Sequence, residues 1–199
     1  MIKHLTEIVE EARKKGRKRL AVAYGQDSHT LEAVYNAYKE GLVEPTLYGD
    51  KEVIEQVCRD NDIDIKVFNI VNEPNDVKCV QQAVAAVVAG NADVLMKGLV
   101  STDKYMRGIL NKDAGLFPPK GVLSHVSIVE MKSYHKLLVI SDVAVIPLPD
   151  FKQKMKQIGY LSATANLLGI TTPKIACIAP SEQVLPNVIS STEGALLAK

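Results

Sequence analysis

Apolar residues follow two alternating rhythms along this chain, one of helical and one of strand character. Ile2, Leu5, Val9 and Ala12 share a face between Glu and Lys residues, so residues 2–15 read as an amphipathic helix that Gly16 ends. Residues 19–24 form a short apolar run read as a buried strand, with Gly25, Gln26 and Asp27 as its turn. Ser28 is the expected cap of a helix whose inner face is Leu31, Val34, Tyr35 and Tyr38. Pro45 precedes a short strand at 46–48, and Asp50 is expected to cap the next helix, with Val53, Ile54 and Val57 inward. Residues 65–71 read as a strand. Val77, Val80, Val84, Val87 and Val88 then line a helix ending at Gly90. A strand at 93–96, a loop at 97–101 and a helix at 102–112 follow. Repeated β-α units with apolar strands predict an α/β fold with a mostly parallel sheet and helices on both faces.

The rhythm changes after Asp113. Residues 115–120 (GLFPPK) form a Pro-rich loop, and two strands, 122–131 and 137–140, are separated only by 132–136. That is hairpin spacing rather than a helical crossover, which predicts a second, smaller α/β domain. The expected division is 1–130 and 131–199. Asp150 should cap a long helix with Phe151, Met155, Ile158, Ala165 and Leu168 inward, and Pro173 precedes an expected strand at 174–179. Ser190 and Ser191 precede an apparent helix start at Thr192 and Glu193, close to the last residue, Lys199.

Composition narrows the classes. Of 199 residues, 47% are hydrophobic and 24% charged, which is ordinary globular usage and excludes disorder and low-complexity architectures. The formal net charge is +1, too balanced for the basic footprint that nucleic acid demands. Cys58, Cys79 and Cys177 are widely spaced with no CxxC, against a disulfide framework or zinc site, and each sits among apolar neighbours as a buried thiol would. No signal-peptide core and no apolar span of bilayer length occur, so the expected setting is soluble, reducing and cytoplasmic.

Chemistry concentrates in Asp93-Val-Leu-Met-Lys-Gly-Leu-Val-Ser-Thr-Asp-Lys-Tyr-Met-Arg107, a strand, a Gly-containing loop and a capped helix. In open α/β sheets ligands bind beyond the strands' carboxyl ends, and amides at a helix start favour anions. Lys97 adds charge, Gly98 lies in the turn, Ser101 and Thr102 add hydroxyls, and Arg107 could reach back with its planar fork. The plainer alternative is a Ser or Thr cap beside solvated Lys and Arg. Neither GxxxxGK[ST] nor GxGxxG is present. Ser124 and His125 are adjacent on an expected strand, so they face opposite ways and cannot form a dyad. Asp142 follows a strand, as a ligand-facing carboxylate or a turn residue would. No metal-ligand spacing is visible.

Four blocks in order, DVLMKGLVSTDKYMR, GVLSHVSIVE, LLVISDVAV and NLLGITTPKIACIAPSEQV, resemble the phosphate acetyl/butyryl transferase family, the butyryltransferase branch most. The likeness runs over essentially the whole chain. It implies a two-domain fold like that of isocitrate and isopropylmalate dehydrogenases, a cleft site, a homodimer and no tightly bound cofactor. It implies transfer of a short acyl group between coenzyme A and inorganic phosphate, both as substrates, with no nucleic-acid or membrane partner. By position Lys97, Gly98, Ser101, Thr102 and Arg107 match the family's phosphate-side loop and helix, Ser124 and His125 its cleft strand, and Asp142 its second-domain block. Ile146 stands where members often carry Asn. The carboxyl-terminal third of a typical member, with its Ser-Arg-x-Asp segment, has no counterpart after Lys199, so the catalytic residues are expected there and no base is named. The expectation is therefore a fragment or short form of the enzyme. The alternative is a non-catalytic protein that binds coenzyme A and phosphate. A metal- and nucleotide-dependent dehydrogenase of the related fold ranks below both.

Overall fold

A computed structural model describes residues 1–199. The chain divides into two compact units, Val9–Gly121 in one and Met1–Ile8 with Val122–Lys199 in the other. The first unit thus ends at Gly121, inside the expected 1–130 segment. Helix α1 (Leu5–Lys14) runs from residues of one unit into residues of the other.

In the Val9–Gly121 unit, strands β1 (Lys18–Ala23), β2 (Val43–Gly49), β3 (Asn69–Asn72) and β4 (Val94–Lys97) form a sheet in the order β3-β2-β1-β4, every pair parallel. Alternation along β1 sorts the core. Leu20 and Val22 enter a cluster with Leu31 and Val34 of α2 (Ser28–Lys39) and Ile54 and Cys58 of α3 (Lys51–Asp60). Ala21 and Ala23 face Cys79, Val80, Ala83 and Val84 of α4 (Asp76–Val88) on the other side. The small β1 side chains let α4 sit close. Helix α5 (Thr102–Leu110) presses on α4 through Gly108, where a Cβ would meet Val80 Cγ1 at 2.3 Å.

Several local readings change. Asp27, not Ser28, caps α2 by accepting from the Thr30 N–H. Pro45 lies inside β2, at a position bordered by β1 but preceding the β3 register, so its missing N–H is tolerated. Residues 65–67 form a 3-10 turn, and the strand begins only at Asn69.

In the other unit, β5 (Ser127–Val129) and β6 (Leu138–Ile140) form the expected antiparallel pair, shorter than the apolar runs that announce it. Helix α6 (Phe151–Leu167) starts at Asp150 in a capping box with Gln153. Ala165 and Leu168 are buried, whereas Met155 is 57% exposed and Gln157 takes a buried place. Residues 174–179 form no strand, and Cys177 is exposed rather than buried. An apolar run becomes a strand only beside a ladder partner, and this one has none. Helix α7 (Ile189–Leu197) starts three residues before Thr192 without a side-chain cap. The Lys154 ammonium holds Glu193 at 2.5 Å, joining α6 to α7. Glu130 accepts from His4 Nδ1 and the Leu5 N–H. No helix is long and apolar enough to cross a membrane.

Candidate functional site

The sheet order reverses at β1. Strands β2 and β3 extend one way from it, and β4 returns to its other side. Such a switch point opens a crevice beyond the carboxyl ends of the two diverging strands. The loops there are 24–27 after β1 and 98–101 after β4.

These loops are bonded to each other. The Gly98 N–H donates to Ala23 O at 2.9 Å and the Leu99 N–H to Tyr24 O at 2.9 Å. Gly98 has no room for a side chain, since a Cβ would stand 2.4 Å from Tyr24 O. Its primary work is this close approach of two backbones. Tyr24 itself takes a left-handed φ of 58°. Val100, 1% exposed, plugs the loop into the α4-side core. The loop after β4 is therefore fixed from beneath.

On this base stands the start of α5. Ser101 is its cap, its Oγ accepting from the Lys104 N–H at 3.4 Å, so the plainer reading of Ser101 holds geometrically. Thr102 opens the first turn and is exposed. Lys97, at the end of β4, is exposed, its Nζ 3.3 Å from Gly98 O. Lys104 binds Asp76 at 2.6 Å, and that ammonium holds the Asp76 carboxyl below its ordinary range. Lys97, Gly98, Ser101 and Thr102 thus gather at one sheet edge. Arg107 does not join them directly. It lies one turn further along, exposed, and leans back onto Asp103 at 2.7 Å.

The loop after β1 contributes groups that the sequence did not single out. Gln26 Oε1 accepts from the Asp50 N–H, tying this loop to the start of α3. Asp27 Oδ1 caps α2, while its Oδ2 is buried without a partner. The signal for Gln26 and Asp27 is strand order, because these loops become neighbours only when β4 returns beside β1.

Ser124, His125 and Asp142 belong to the other unit. Ser124 and His125 precede β5 rather than lying in it. Ser124 Oγ donates to Asp142 Oδ2 at 2.7 Å, and the His125 backbone N–H donates to the same oxygen at 3.1 Å. Asp142 Oδ1 accepts from the Ala144 and Val145 N–H groups, each at 2.8 Å. Desolvation pushes the Asp142 carboxyl up. The hydrogen bonds from Val145, Ser124, Ala144 and His125 outweigh it and hold the group well below the usual carboxylate range. The structure brings these three residues together, with Asp142 as a fully engaged acceptor. No group of three His, Cys, Asp or Glu side chains is arranged to hold a metal ion.

The family described as phosphate acetyl/butaryl transferase matches residues 4–82 and 73–192. Phosphate butyryltransferase of Clostridium acetobutylicum is 38% identical over 199 residues, 100% of this chain and 66% of that protein. Phosphate acetyltransferase of Thermotoga maritima is 36% identical over 195 residues, 98% of this chain and 65% of that protein. This chain therefore spans just under two thirds of the length of these relatives. Among solved structures, a branched-chain phosphotransacylase from Enterococcus faecalis V583 superposes with a TM-score of 0.73 at 22% identity, covering 90% of this chain and 62% of that one. A phosphotransacetylase from Streptococcus pyogenes gives 0.73 at 19% identity, over 96% and 69%. The structural likenesses establish a shared α/β fold.

Proposed function

The chain belongs to the phosphate acetyl/butaryl transferase family, and on that premise we propose that it serves the transfer of a short acyl group, butyryl or acetyl, between coenzyme A and inorganic phosphate. In this reading the coenzyme A thiolate attacks the acyl-phosphate carbonyl, and the C–O bond to phosphate breaks as the C–S bond forms. In reverse, a phosphate oxygen attacks the thioester and the thiolate leaves. The observation that carries it is the anchored turn after β4, which presents Lys97, Ser101, Thr102 and the first amides of α5 together at a switch point. Charge and amide dipoles there suit a phosphoryl oxygen.

Arg107 is assigned to the phosphate as well, after exchanging Asp103 for it. Ser124, His125 and Asp142 are assigned to substrate binding in their own unit, with Asp142 acting through the backbone it holds. The reading includes a homodimer, a cytoplasmic setting, the isocitrate/isopropylmalate-dehydrogenase-like arrangement and no resident cofactor. The second reading, a protein that binds coenzyme A and phosphate without turnover, is favoured by the engagement of Arg107 and Asp142 with other groups.

Phosphate-dependent release of thiol from butyryl-CoA, with acetyl-CoA alongside, decides between them. Release that requires phosphate supports the enzyme. Coenzyme A binding by calorimetry without release supports the second reading, and neither removes both. Arg107→Ala should raise the phosphate KM and leave the melting temperature nearly unchanged, because the ion pair it breaks is exposed. An unchanged KM takes Arg107 out of the site.

A further inference from the structure

Three cations belong to the turn after β4 and the start of α5, and they differ in what neutralises them. Lys97 Nζ lies against a carbonyl, Gly98 O. Lys104 is paired at 2.6 Å with Asp76, whose side chain is 25% exposed, and that pair joins α5 to α4. Arg107 is paired at 2.7 Å with Asp103 of its own helix, with 78% and 66% of the two side chains exposed. An exposed i, i+4 pair of this kind holds no elements together and contributes little to stability.

Its consequence falls on the anion site instead. Asp103 follows Thr102 in the first turn of α5, so its charge sits at the positive end of the helix and occupies the Arg107 fork. An arriving anion meets one already in place. A carboxylate from solution offers Arg107 the same pairing as Asp103, without the effective concentration that a shared helix confers. A phosphate brings up to two negative charges and more acceptor oxygens. It can engage Lys97 and the first amides of α5 while it takes the fork.

We propose that Asp103 sets the anion specificity of this site: it is an intramolecular carboxylate that holds Arg107 until a doubly charged oxyanion displaces it. Singly charged carboxylates are thereby kept from the phosphate subsite, among them the free short-chain acids that share their acyl group with the substrates. The subsite is the one the acyl-transfer reading assigns, and this role rests on that reading. Asp103 touches no reacting atom and is a positioning residue, acting through Arg107.

Calorimetry with inorganic phosphate and with butyrate tests this without turnover. Asp103→Asn should bind phosphate about threefold to tenfold more tightly than the parent chain and should gain butyrate binding that the parent lacks. Asp103→Glu should behave as the parent, and adding Arg107→Ala to Asp103→Asn should remove most of the gain. In phosphate-dependent thiol release, Asp103→Asn should lower the phosphate KM by the same factor, leave kcat within about twofold and make butyrate competitive with phosphate. The calorimetric pattern without thiol release removes the enzyme but supports the role of Asp103. Unchanged phosphate affinity in a folded Asp103→Asn variant overturns it. So does weaker affinity, because Asp103 would then be aiming Arg107 at the anion. A gain of full size without Arg107 overturns it too, as does phosphate binding by none of the chains.

Discussion

The two compact units handle apolar side chains differently. In Val9–Gly121 both faces of the sheet are covered, and Leu31, Leu47, Ile54, Val22 and Val80 are all at or below 1% exposure. In the other unit the buried apolar residues are Leu137, Ala165 and Leu168, while Leu148 at 89%, Ile178 at 86% and Leu167 at 75% face outward. Both units draw on similar residues, so composition does not explain the contrast. Closure does. A four-stranded parallel sheet with helices on each side completes its own core, whereas a two-stranded ladder cannot cover the helices packed near it.

The sharpest way to break the contrast is one substitution made twice. Leu47→Ala should cost about 2–5 kcal/mol in urea unfolding, from lost burial and a residual cavity. Leu148→Ala should stay within about 0.5 kcal/mol. A comparable loss at Leu148 would mean that its face is covered in solution. Next in size is Gly98→Ala. The added Cβ meets backbone atoms of Tyr24 and Ala23, which cannot swing aside, so about 3 kcal/mol should be lost. A near-neutral result there would detach the loop after β4 from the end of β1.

A smaller effect follows from Asp142. Its folded-state pKa is depressed, so its contribution is present above the unfolded value and is lost as pH falls through the folded one. The second unit should therefore weaken progressively below about pH 4, and Asp142→Asn should flatten that acid limb in a circular-dichroism titration. The smallest perturbation is chemical labelling. Cys177 is exposed, whereas burial pushes Cys79 up to about 11 and raises Cys58 as well. One thiol should react rapidly in the native chain and all three in denaturant. A second fast thiol would show that the parallel unit opens readily.

The same contrast explains what could be read from the residues alone. The parallel sheet was legible because most of its strands and helices carry their own period and boundary signals, as Asp50 does at the start of α3 and Gly90 just after α4. The hairpin was legible from spacing. Residues 174–179 carry equally good local signals for a strand, yet strand formation needs a partner that no local pattern supplies. Cys177, whose apolar neighbours predict a buried thiol, is exposed for the same reason. At the candidate site, Lys97, Ser101 and Thr102 could be placed because they follow one strand directly. The neighbouring contributions of Gln26 and Asp27, and the steric demand at Gly98, arise from strands far apart in sequence. Arg107 was correctly placed on the helix. Its engagement with Asp103 depends on which partner the flexible fork meets first.

The position of β1 also sets a timetable for synthesis. This strand is central, bordered by β2 on one side and β4 on the other. Its first neighbour is translated soon after it, but the second emerges only roughly 70 residues later, on the order of ten seconds at ordinary ribosomal speeds. For that interval an apolar strand edge stands open beside the ribosome. A nascent chain halted before Lys97 should therefore be the form that chaperones hold longest, and release should coincide with the arrival of the turn that bears Gly98.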